Sequence, residues 1–222
     1  MKNIIGYVLV GGIFVFGVLI AYSILKPEDK LPVYQPADVN PALVDADVKN
    51  RTDHRVAPFE LINQFGDTIT DDDVKGKIRI VDFFFTRCTT ICPVMNENMS
   101  KVQEQVVGID DVVLLSHSVT PEMDSVPELA AYAERFNAIP GRWHLLTGPK
   151  QHIYELARKS YFAVLDEGDG GLQDFIHTEN VVLVDYDGRL RGYYDGTDLK
   201  DMGRLVGDVA RLRQEYSGEE KK

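Results

Sequence analysis

Two hydrophobic patterns divide the chain. From Asn3 to Leu25 there is no charged residue, and these 23 positions reach roughly 34 Å at helical rise, enough for a hydrocarbon core of ~30 Å. Beyond Val56, short apolar runs alternate with amphipathic stretches. "FELINQFGDTIT" predicts a hairpin turning at Gly66-Asp67, and "KIRIVDFFF" has the β-branched and aromatic continuity of a strand buried on both faces. A helix is expected from about Cys92 to Val106. Then comes a second buried strand, "VVLLSHSV", and a helix, "SVPELAAYAERF", with Ser125 capping and Glu128 three residues later. "WHLLT" reads as a short strand, "PKQHIYELARKS" as a helix and "YFAVL" as an extended segment. "NVVLVD" and "LRGYY" form an antiparallel pair turning at Asp187-Gly188, and "LKDMGRLVGDVARLRQEY" closes the chain as an amphipathic helix.

Parallel strands joined by helices, followed by a hairpin and a last helix, define an α/β class. The plan is a thioredoxin-like fold with an N-terminal hairpin, preceded by one transmembrane helix. Residues 1–25 are expected to be an uncleaved signal anchor: the apolar part is too long for a signal-peptide core, and "AYSILKPEDK" offers no clear small-x-small cleavage site. Residues 26–55 hold most of a stretch, Lys26 to Pro58, that carries five of the ten prolines with little apolar periodicity, and they are expected to form an extended linker. Residues 56–216 form the folded domain and 217–222 a charged tail.

Charge removes one class of partner. The formal net charge is -11, and no run of Lys or Arg outlines a phosphate-binding face, so nucleic acid is not expected to bind. Lys2 on one side of the span and Lys26 and Lys30, diluted by Glu28 and Asp29, on the other give only a weak orientation bias. The only two cysteines favour an outward-facing domain, anchored in the cell membrane through residues 3–25 by a single pass, on the periplasmic side if the source is bacterial.

Those cysteines, Cys88 and Cys92, lie where the first buried strand meets a helix. There, backbone N–H groups and the helix dipole stabilise a thiolate. Spacing of i to i+4 suits both a disulfide and joint binding of one metal ion, and by itself does not choose between them. As a staple the pair is poorly placed, because closing so short a loop removes little entropy from the unfolded chain. Zinc wants four ligands, and no second Cys-x-x-Cys or His-x-x-x-His cluster is present. Copper(I) is soft and accepts two sulfurs and one imidazole. In thioredoxin-like folds the segment ahead of the C-terminal hairpin packs against the cysteine loop. Here that segment, "DFIHTENVVLVDYDG", holds His177 where thioredoxins carry a cis-proline.

The other candidates have plainer readings. His54 is expected to be solvated in the linker, and His144 and His152 to be packing or surface residues. His117 should end its strand on the cysteine side, where it is either an ordinary hydrogen-bonded histidine or an outer-shell neighbour of the site. Met95 and Met99 continue the cysteine stripe at helical spacing and read as core packing. Asp187 belongs to the hairpin turn, and Asp185 ends a strand.

"FFFTRCTTICPVM", "SHSVTPEMDSVPELAAYAERF" and "FIHTENVVLVDYDGRLRGYYDG" resemble, in order and spacing, the Sco/SenC family of membrane-anchored copper proteins, over about Ala57 to Tyr216. The resemblance implies that Cys88, Cys92 and His177 are copper ligands. It also implies delivery of copper to the CuA site of cytochrome c oxidase, with the CuA-bearing subunit and a thiol-disulfide reductant protein as partners. Thr89 departs from the proline that many relatives carry after the first cysteine. The alternative is an extracytoplasmic thiol-disulfide oxidoreductase in which Cys88 attacks a partner disulfide and Cys92 resolves it. A peroxidase is disfavoured, since the Pro-x-x-x-Thr-x-x-Cys pattern is absent.

Overall fold

The computed structural model describes residues 11–18, 20, 30–39, 52–164, 176 and 178–219. The chain forms two units, Met1–Lys30 and Leu31–Lys222. In the first, residues 11–18 and 20 are helical. Among the described residues no helix is long and apolar enough to cross a membrane. Most of the expected span over residues 3–25 lies outside the described residues.

The second unit is built on a five-stranded sheet, and the hairpins fall where the turn chemistry places them. β1 (Glu60–Ile62) and β2 (Thr68–Thr70) pair antiparallel around Gly66, whose φ of 86° is readily adopted only without a side chain. β3 (Ile78–Phe84) leads to α1 (Ile91–Val106), β4 (Val112–Ser118), α2 (Val126–Arg135) and β5 (Trp143–Leu146). α3 (Lys150–Glu155) follows, then the closing hairpin of β6 (Asn180–Val184) and β7 (Leu190–Asp195), and α4 (Leu199–Glu219). Strand order is β5-β4-β3-β6-β7, with β3, β4 and β5 parallel and β6 antiparallel to both β3 and β7. Ser125 starts α2 as expected: the Glu128 carboxylate accepts its backbone N–H at 2.9 Å and its hydroxyl at 2.5 Å.

Strand alternation splits the buried residues into two cores. Ile78, Ile80 and Phe84 of β3 share one face with Cys88, Cys92, Met95, Met99 and residues of α2 and α4. Val81 and Phe83 face the other core, with the β1–β2 hairpin, α3 and the aromatic segment after it.

Two segments differ from expectation. The expected helix "PKQHIYELARKS" widens at its end into a π-helix, Leu156–Ser160, and in the expected extended "YFAVL", whose Leu165 lies outside the described residues, Phe162 takes a φ of 48°. Tyr161 and Phe162 are both fully buried in the second core, and seating two adjacent rings there sets the wider turn, closed by Ala163 N–H on Ala157 O at 2.9 Å. The stretch expected to be extended linker is packed on the domain over residues 31–39. Leu31 is buried in the first core, Tyr34 bridges to Leu190 at the β7 edge, and Tyr34 and Tyr193 meet edge to face at 5.4 Å. His54 is not solvated either. It is buried against Phe162, with Nε2 2.8 Å from Ser160 O and its backbone N–H on Gln35 Oε1. Both sheet edges are therefore covered, β7 by the segment around Tyr34 and β5 by the N-terminal hairpin through Ile62 and Thr147.

Candidate metal and redox site

β3 ends at Phe84, and a short loop carries Cys88 to the mouth of α1, whose second residue is Cys92. Both cysteines are buried free thiols. The Cys92 backbone N–H, one of the unpaired donors of the first helical turn, points to Cys88 Sγ at 3.4 Å. Thr90 stands at the N-cap, yet its hydroxyl makes no cap hydrogen bond and lies 3.6 Å from the same sulfur. A residue type favoured for capping is thus turned toward the cysteine. The Thr-Thr run marks the position in the sequence; its hydroxyl's direction follows from the loop.

This geometry separates the two thiols. Burial pushes Cys88 up, but donation from the Cys92 backbone and thiol and from the Thr90 backbone and hydroxyl outweighs it, leaving the pKa at about 7. Burial dominates at Cys92 and, with the charges of Cys88 and Asp82, raises it to about 12 against the opposing backbone of Phe85. Near neutral pH Cys88 is the readily ionised sulfur and Cys92 the one held as a thiol. Alkylation of Cys88 should therefore rise with pH through about 7. Thr90→Val removes a donor to the thiolate, so a roughly two- to fivefold slower reaction at pH 7 is expected. An unchanged iodoacetamide pH profile would show that the hydroxyl plays no part.

Beneath the pair lies a buried polar layer that periodicity did not reveal. Asp82 on β3 is fully buried and accepts the Ser116 hydroxyl across the β3–β4 register, while Trp143 Nε1 donates to Ser116 Oγ at 2.8 Å. Burial raises Asp82 to about 7. Asn96, one turn beyond Cys92, donates to Cys92 O at 2.9 Å and to Tyr132 Oη at 3.2 Å.

The structure brings Cys88 and Cys92 together and leaves the other histidines it describes away from them. His117 points to the opposite core, stacked on Phe83 at 5.1 Å and near Phe59 and Tyr161, because it is one residue out of phase with Ser116 and Ser118. It is not an outer neighbour of the cysteines. Burial lowers its pKa to about 4 and keeps it neutral. His144 is half-buried on β5, and His152 lies on α3. Met95 and Met99 are wholly buried in the first core. Asp187 shapes the hairpin turn, donating its N–H to Asp185 Oδ1 at 3.0 Å, whereas Asp185 is buried in an ion pair with Arg191. His177 lies outside the described residues. Its neighbours Ile176 and Thr178 are buried, and Thr178 Oγ1 and Asn180 Nδ2 both donate to Ala163 O at 2.8 Å.

Two adjacent sulfurs, one already acidic, suit a soft monovalent cation better than a hard one. Among the described residues no group of three or more His, Cys, Asp or Glu side chains is placed to hold a metal ion. Within that set the cysteines form a two-sulfur site.

A family model described as SCO1/SenC matches residues 47–214. Over 164 residues the chain is 33% identical to the SCO1 protein homolog of Bacillus subtilis (strain 168), covering 73% of this chain and 84% of that one. The fold matches a solved structure of BsSco, described as having a disulfide switch and as a member of the Sco family of cytochrome c oxidase assembly proteins. That match has a TM-score of 0.59 at 32% identity, covering 74% of this chain and 98% of the other. Bradyrhizobium japonicum ScoI with copper bound is similar at 27% identity and a TM-score of 0.56, covering 71% and 99%.

Proposed function

The chain belongs to the SCO1/SenC family, and from that premise we propose that it is a copper metallochaperone. It holds Cu(I) on Cys88, Cys92 and His177 and passes it to the CuA site of cytochrome c oxidase during assembly. The observation that carries this reading is the pair of buried free thiols at the start of α1, with the Cys88 sulfur on the Cys92 backbone N–H. A copper-bound relative and a relative named for oxidase assembly support it. Residues 3–25 anchor the protein in the membrane by a single pass, and the domain lies on the extracytoplasmic side. There a thiol-disulfide reductant protein keeps the pair reduced.

Copper requires both sulfurs as thiolates, so the protonation states set a measurable stoichiometry. With Cys88 at about 7 and Cys92 at about 12, loading at pH 7 is expected to release between about one and two protons per ion. Anaerobic titration of the reduced protein should reach about one copper per chain with that release. His177→Ala should weaken copper binding by roughly a hundredfold or more, while exchange with a small disulfide proceeds at a similar rate. The opposite result, unaltered copper affinity with collapsed exchange, would favour thiol-disulfide oxidoreduction. The separation of the two thiol pKa values is the observation on that side, with Cys88 as the attacking thiolate and Cys92 as the resolving thiol.

A further inference from the structure

One buried carboxylate outside the cysteine pair gathers the donors of two chain segments. Asp124, in the turn between β4 and α2, is wholly buried. Its Oδ1 accepts the Thr86 hydroxyl at 2.6 Å, and its Oδ2 faces the Thr86 backbone N–H at 3.4 Å. Oδ2 also accepts the hydroxyls of Ser118 at 2.5 Å and Thr120 at 3.0 Å. Hydrogen bonds of this number and length hold a carboxylate away from water, and each loses much of its worth if the geometry slips. Ser118 and Thr120 belong to the end of β4 and its turn, where Val119 N–H is tied to Phe84 O at 2.8 Å. Thr86 belongs to the cysteine loop.

Thr86 follows a residue whose backbone addresses both sulfur-bearing residues. Phe85 O accepts the Cys88 N–H at 3.3 Å, and the Phe85 backbone faces the Cys92 thiol and favours its ionised form. We infer that Asp124 is a positioning residue for the cysteine pair: by clamping Thr86 to the end of β4, it holds the Phe85–Cys88 turn so that Cys88 Sγ meets its donors at the start of α1. This rests on reading Cys88 and Cys92 as a reactive pair. It adds that the pair's reactivity is set from a turn 36 residues downstream of Cys88.

Releasing Thr86 lets Cys88 drift from the Cys92 N–H and the Thr90 hydroxyl. The reduced form then loses stabilisation that the disulfide never had. The equilibrium is protein dithiol plus oxidised glutathione giving protein disulfide plus two reduced glutathiones. Two electrons and two protons pass from the cysteines to glutathione. In redox buffers at pH 8, where most of Cys88 is thiolate, the full chain carrying Thr86→Val should shift toward the disulfide by about tenfold, equivalent to ~30 mV. Asp124→Asn should shift it the same way. Ser118→Ala removes one hydrogen bond to Asp124 but leaves both Thr86 contacts and the Thr120 tie to the turn in place. It should lower thermal stability comparably while leaving the couple within twofold of wild type.

A solely structural Asp124 predicts that Thr86→Val and Ser118→Ala both lower stability and neither moves the couple. That result overturns the positioning role. If Asp124→Asn fails to fold, Thr86→Val against Ser118→Ala still decides. A wild-type chain that forms no Cys88–Cys92 disulfide in any buffer would overturn the reactive-pair reading itself, and the positioning role with it.

Discussion

Oxidation of Cys88 and Cys92 to a disulfide is expected to take Cu(I) uptake from about one equivalent per chain to almost none, and reduction to restore it. The metal needs both sulfurs as thiolates, and the disulfide ties up the electron pairs that would bind it. The other described residues do not replace them. His117 is buried in the other core, Met95 and Met99 are sealed in the first, and neither His144 nor His152 belongs to a ligand cluster among the described residues. On the proposed site, metal loading is therefore expected to depend on a reductant. A thiol count before and after mild reduction, followed by Cu(I) titration of each form, measures this. Equal uptake by the two forms would remove the cysteines from the site. A disulfide resistant to mild reductant, whose loss costs stability but not metal, would make the pair a staple.

Arg191→Ala should destabilise the domain by about 3–5 kcal/mol, the cost of leaving buried charges without their partner. Arg191 lies in β7 and is buried with Asp185 at 2.9 Å and Glu215 at 2.5 Å. Burial opposes its charge, but the hydrogen bonds to Glu215 and Asp185 prevail and raise its pKa. The same guanidinium donates to Leu31 O at 2.8 Å and Pro32 O at 3.1 Å, while Leu31 N–H donates to Glu215 Oε1 at 2.5 Å. Two buried carboxylates would remain after the substitution, so urea unfolding of residues 31–222 should show a much lower midpoint. Starting the chain at residue 31 should leave stability nearly intact, since the compact unit begins there. Starting at residue 56 should be costly, because the Leu31, Pro32 and His54 contacts go with the segment. Equal stability of the two truncations would mean that the docked segment contributes nothing.

Much of this was legible from local pattern. The buried strands β3 and β4, the hairpin turns at Gly66 and Gly188, the Ser125–Glu128 start of α2 and the cysteines at a helix mouth all follow from residues within a few positions of one another. Such features depend on side-chain period, on φ and on nearby donors, which a short stretch states by itself. The family resemblance was legible for the same reason, since its motifs are short and keep their order.

Other features joined residues far apart, and composition was silent on them. "KPEDKLPVYQPADVNPALV" reads as linker because it lacks apolar period. Leu31 and Tyr34 dock only because β7 offers an open edge and α4 presents Glu215, 184 residues from Leu31. His54 looked solvated, and it is buried because the turn after α3 places Ser160 O and Phe162 beside it. His117 was placed on the cysteine side from where its strand ends, but the phase of the pleat put it in the other core. Asp124 had no motif, since a carboxylate becomes a clamp only where separate chain segments bring hydroxyls to one point. The sequence by itself determined the elements and the chemical types at the site. Burial, pairing and the pKa values of the two thiols were decided by tertiary structure, because desolvation and hydrogen bonding depend on which distant groups share the same enclosed volume.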